Sequence, residues 1–168
     1  MSHRRFAIAV LAIVIASIMA LVPVSAAVPV GSKAPGFKVT ALDGKSIGLA
    51  DLMGKPTLVV FWANWCPHCR NELPVVEKLY KDLGPKGVNF IAISLDTGSE
   101  PAQRLVRDGK ASFPIAVVGA SSDVARSYDI TGIPAVFVLD KDGIVKARYA
   151  GEASEATIRG EFAKLGVK

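Results

Sequence analysis

The chain has two cysteines, and they stand together in Cys66-Pro67-His68-Cys69. Thiols at that spacing can exchange a disulfide with a partner or form part of a metal site. As a mere staple the pair would stabilise little, because a bridge across so short a loop removes little unfolded-chain entropy. A closed zinc site needs four ligands. Beyond the thiols, the chain after its first residues offers only His68, wedged between them, and carboxylates. Redox exchange is the chemistry that uses both cysteines, with a metal-binding module as the alternative class.

Two elements must position the pair. The unbroken apolar, β-branched run Thr57 to Trp62 predicts a strand buried on both faces. From Cys66 to Leu83 apolar residues recur at Leu73, Val76, Leu79, Tyr80 and Leu83, a helical spacing that stops at Gly84-Pro85, with Pro74 expected to kink it. The cysteines thus sit where a strand turns into a helix. Unpaired N–H groups and the positive end of the helix dipole favour a thiolate at the first cysteine. This predicts an exposed, low-pKa Cys66 that attacks, and a buried Cys69, one turn on, that resolves the mixed disulfide.

Further out, Asp43-Gly44 suits a hairpin turn between short strands at Phe37–Thr40 and Ser46–Leu49. Val88–Leu95, Ile115–Val118, Ala135–Leu139 and Ile144–Tyr149 read as strands. Helices are expected at Pro101–Arg107 and Asp123–Tyr128, and a last one capped by Ser154 and stopped by Gly166. The predicted fold class is α/β: one central mixed sheet flanked by helices, with an N-terminal β-hairpin.

The run Phe61-Trp62-Ala63-Asn64-Trp65-Cys66-Pro67-His68-Cys69-Arg70-Asn71-Glu72-Leu73-Pro74, with the later Gly132-Ile133-Pro134, resembles the TlpA/ResA branch of the thioredoxin superfamily. The resemblance covers the chain from about Gly31 to its end. It implies a thioredoxin-like fold, a cis proline at Pro134 facing the cysteines, and an acidic residue near the pair at Glu72, able to accept or return the proton of Cys69. Glu72 has an equally plain reading as a solvated helix glutamate. Trp65, beside the nucleophile, is expected to shield it and contact substrate; Trp62 is expected in the core. His68 departs from the pattern, since Cys-Pro-His-Cys is similar to the active site of the exported oxidant DsbA, which leaves the direction of electron flow open. No segment is long enough for DsbA's helical insertion.

The opening Gly31-Ser32-Lys33-Ala34-Pro35-Gly36-Phe37 also resembles the start that peroxiredoxins share with thioredoxin-like oxidoreductases. A peroxidatic cysteine in that pattern has Thr or Ser three residues before it and Pro seven before. Ala63 and Val59 occupy those positions, which demotes a thiol peroxidase.

With 51% hydrophobic residues the chain fits one globular domain plus a short extension. A formal net charge of +5, part of it at Arg4 and Arg5 and the rest scattered, argues against nucleic acid. Arg4 and Arg5, the apolar run Phe6–Val22 and the small residues Val24–Ala27 have the three parts of an export signal. Residues 1–27 therefore read as a signal peptide or N-terminal membrane anchor and 28–168 as the domain, placed outside the cytoplasm in the periplasm or on the outer face of the membrane. The expectation is a monomer that needs no metal or organic cofactor and exchanges disulfides with protein thiols. From the resemblance, these are apocytochrome c haem-site or metal-site cysteines, with a membrane electron donor.

Overall fold

Side chains alternate across the strand before the cysteines, and that alternation builds two cores. The computed structural model describes residues 28–168; the expected export segment lies outside them. Strands β1 (Lys38–Thr40) and β2 (Ser46–Gly48) form a small antiparallel hairpin. The central sheet contains β3 (Thr57–Trp62), β4 (Asn89–Ser94), β5 (Ile115–Val117), β6 (Ala135–Leu139) and β7 (Val145–Ala150) in the order β5-β4-β3-β6-β7. β3 runs parallel to β4 and antiparallel to β6, so the sheet is mixed. Helices α1 (Pro67–Leu83), α2 (Glu100–Arg107), α3 (Asp123–Ser127) and α4 (Glu155–Lys164) complete the fold.

Every residue of β3 is buried. Leu58, Val60 and Trp62 face a cluster with Leu73, Val76 and Leu79 of α1 and Ile158 and Phe162 of α4. Val59 and Phe61 face the opposite cluster, with Phe37, Phe137 and Tyr128. Truncating a fully buried aromatic such as Phe61 to Ala would cost about 3–5 kcal/mol. The sheet is thus a rigid floor, and β3 delivers the next residues to a fixed place.

The sequence-predicted elements appear with ends shifted by a residue or so, where terminal hydrogen bonds run out. A 3-10 turn at Leu49–Leu52, not anticipated from sequence, follows β2, with Asp51 accepting the Gly48 N–H at 2.8 Å. Helix α1 continues through Pro74. The lead-in pairs with the start of β7, where Gly31 N–H donates to the Val145 carbonyl at 2.8 Å. This is the pole opposite the cysteines, because Val145 pairs with Leu139 and Leu139 with Thr57, the far end of β3.

Candidate active site

Cys66 is the N-cap of α1 and Pro67 its first helical residue, where a missing N–H costs nothing. The expectation of an exposed Cys66 is corrected: it is 4% exposed, against 0% for Cys69. As a cap, its side chain folds back over the first turn, and Sγ accepts the Cys69 N–H at 3.2 Å. The Cys66 thiol donates to the Ile133 carbonyl at 3.5 Å. Ile133–Pro134 is a cis peptide, and the Ile133 carbonyl of the loop before β6 lies against the first cysteine.

Cys69 lies wholly inside. Burial, helped by a hydrogen bond to Cys66, pushes its thiol up to about 12, with the Glu72 charge adding to the effect. The two readings of Glu72 are separated by its burial: at 2% exposure it is no solvated glutamate. Its Oε2 accepts the Ala153 N–H at 2.9 Å, while Oε1 is buried without a partner. Burial raises the Glu72 carboxyl above the usual range; the Ala153 N–H opposes this, and the Glu152 charge reinforces it. A buried carboxyl with one free oxygen, on the helix turn after a high-pKa thiol, can take and return a proton.

The outer side of the helix start is different. Trp65 is 65% exposed. His68 points its Nδ1 at Glu152 Oε1, 2.6 Å away, and Asn71 Nδ2 donates to the same oxygen at 3.2 Å. Hydrogen bonds from His68 and then Asn71 hold the Glu152 carboxyl below the usual range. Trp62 is buried, as expected for the core, with its Nε1 unpartnered.

Three positioning groups were not found from sequence. Asp96, buried at the end of β4, accepts the Asn64 N–H with both carboxylate oxygens at 2.9 and 3.2 Å and takes a bond from Ser94 Oγ at 2.8 Å. Arg70 donates to the Asn64 carbonyl at 3.1 Å. Asn64, two residues before Cys66, is therefore held from both sides. The third group is the loop after β7. Gly151 N–H donates to the Pro134 carbonyl at 2.8 Å, Glu152 binds His68 and Asn71, and Ala153 N–H holds Glu72. Nothing local in the sequence signals that contact. Cys66, His68, Cys69, Glu72 and Pro134 thus come together, with Trp65 on the open side. Among the described residues, no group of three or more His, Cys, Asp or Glu side chains is placed to hold a metal ion.

Residues 30–148 match the AhpC/TSA family. The chain is 34% identical to the thiol-disulfide oxidoreductase ResA of Bacillus cereus over 81% of this chain and 78% of that protein. Against ResA of Bacillus subtilis it is 30% identical over 76% and 71%. A crystal structure described as a thiol:disulfide interchange protein DsbE, from Chlorobium tepidum, superposes with a TM-score of 0.75 at 25% identity, covering 83% of this chain and 99% of that one. The thioredoxin domain of a thiol-disulfide oxidoreductase from Bacteroides vulgatus gives 0.72 at 29% identity, with the same coverage.

Proposed function

Because this chain belongs to the AhpC/TSA family and to the ResA-like thiol-disulfide oxidoreductases within the thioredoxin fold, we propose that it works as a reductant of protein disulfides. Its site of action in this reading is the outer side of the cytoplasmic membrane, supported by the export pattern of residues 1–27. A monomer would take electrons from a membrane donor and pass them to apocytochrome c haem-site or metal-site cysteines.

In the first step the Cys66 thiolate attacks one sulfur of the substrate disulfide. The substrate S–S bond breaks, a Cys66–substrate disulfide forms, and the departing thiolate takes up a proton. In the second step Cys69 gives its proton to the Glu72 carboxylate and attacks Cys66 Sγ. The Cys66–substrate bond breaks, and the second substrate thiolate leaves and is protonated. Two electrons have moved: the substrate is reduced to a dithiol, and Cys66 and Cys69 are oxidised to a disulfide. Pro134, which offers no N–H, and the Ile133 carbonyl beside Cys66 flank the place where a substrate chain would lie. Trp65 would cover it.

One observation carries the exchange reading: the chain is 34% identical to a ResA over 81% of its length, and its Cys69 lies buried one helical turn from Cys66 and beside Glu72. A resolving thiol kept protonated until a neighbouring carboxylate takes its proton suits two-step exchange, and the potential of the pair then decides the direction of electron flow. The test is the reduction potential of the pair, equilibrated in dithiothreitol or glutathione buffers and read by alkylation. A value near about −270 mV supports a reductant; one near the roughly −120 mV of DsbA overturns it.

A further inference from the structure

The loop after β7 contacts Pro134, His68, Asn71 and Glu72, and one residue in it has no role in the mechanism above. Glu152 sits on the surface with its Oε1 bound to His68 Nδ1 at 2.6 Å and to Asn71 Nδ2 at 3.2 Å. Its neighbours on both sides donate their backbone N–H groups to the site, Gly151 to Pro134 and Ala153 to Glu72. The carboxylate is thereby held over the one residue of the redox motif that can carry positive charge.

From this geometry we infer that Glu152 is the counter-charge of His68 and tunes the Cys66–Cys69 couple toward the reducing side. The inference rests on the disulfide-exchange reading and names one group that tunes its potential. An imidazolium next to Cys66 would favour the thiolate, hence the dithiol, and make the disulfide a stronger oxidant. Paired with a carboxylate, it presents close to zero net charge to the sulfur. The other charged groups nearby do not replace this balance. Arg70 is turned to the Asn64 carbonyl, and Glu72 lies buried on the Cys69 side. Glu152 touches neither cysteine in this arrangement, so it is a positioning residue that acts through His68.

The inference is tested by measuring the equilibrium constant between the cysteine pair and glutathione at pH 6, below the ~6.5 at which a free imidazole titrates. Glu152→Gln should shift the constant about two- to fivefold toward the dithiol, the size typical of exposed charge effects at a helix end. His68→Ala should shift it toward the disulfide, and the double variant should return close to the parent. Because the pair is exposed, the Glu152→Gln shift should shrink at 1 M salt, where the screening length falls to ~3 Å. No shift, a shift toward the disulfide, a shift undiminished by salt, or a double variant displaced further than either single one overturns the inference. Should the parent pair fail to equilibrate with glutathione at all, the exchange reading itself falls, and the counter-charge with it.

Discussion

Two glutamates meet at the start of α1, and their surroundings drive them in opposite directions. Glu72 is buried, has one oxygen on the Ala153 N–H and one on nothing, and its carboxyl is raised. Glu152, the residue before Ala153, lies in solvent under His68 and Asn71, and its carboxyl is lowered. The same loop supports both. The inner side of the helix is built to hold a proton near Cys69; the outer side is built to hold a balanced pair of charges near Cys66. The difference implies that proton transfer and redox poise are set by separate groups, which substitutions can take apart.

The largest effects fall on the sulfurs themselves. Cys66→Ser and Cys69→Ser should each reduce turnover of a protein disulfide to background. Only Cys69→Ser should accumulate mixed disulfides with partners, visible as reducible adducts on a gel. Trapping by Cys66→Ser instead would reverse the assigned roles.

Glu72→Gln comes next. Losing a positioned proton acceptor costs on the order of 100-fold, so release of the Cys66 mixed disulfide should slow by about that factor while its formation is little changed. Stability gives a second reading. The folded carboxyl of Glu72 is raised, so its contribution is full below the ordinary glutamate value of ~4.3 and is lost as pH rises through the folded value. Urea midpoints of the reduced parent should therefore fall as pH climbs from ~4.3 through the raised folded value, and Glu72→Gln should flatten the fall. Glu152 has the opposite sign: its contribution is lost as pH falls below ~4.3 through the lowered folded value, and Glu152→Gln should leave the higher-pH slope intact.

Much of this arrangement was legible in the sequence because it is local. β3 is one uninterrupted apolar run, and the i, i+3, i+4 stripe of α1 fixes which face meets the sheet, so Cys69, Leu73 and Val76 turn inward together. The mixed sheet followed from strand and helix alternation, and the resemblance supplied Pro134 and Glu72. The burial of Cys66 was not legible, since it depends on a cap conformation and on Ile133, 67 residues away. The partners of Asn64, Glu72 and His68 lie 32, 81 and 84 residues distant. No periodicity encodes such pairs; the sheet order brings β4 and β7 loops to the same end as the helix.

On the outer side, Trp65 is a large apolar group left open beside a nearly closed thiol. Aromatic anchors of this kind typically serve binding more than chemistry. Trp65→Ala should raise KM for a protein disulfide about three- to tenfold with kcat nearly unchanged, and leave exchange with glutathione almost untouched. Equal losses on both substrates would place Trp65 in the chemistry rather than in docking.

The smallest effect is expected at His68. Considered alone, a cation next to Cys66 would push the couple toward oxidising. The imidazole, however, is 72% exposed in its side chain and turned to Glu152 rather than to the sulfur. Solvent and salt screen a charge in that position, with a screening length of ~8 Å under physiological conditions. His68→Ala should therefore make the couple more reducing by only about 10 mV, roughly a twofold change where ~30 mV is tenfold. Equilibration in glutathione buffers at several redox ratios resolves a change of that size. A drop of 40 mV or more would mean that the imidazolium acts on Cys66 directly and unbalanced, and that the outer side of the helix sets the potential as strongly as the buried side sets the proton.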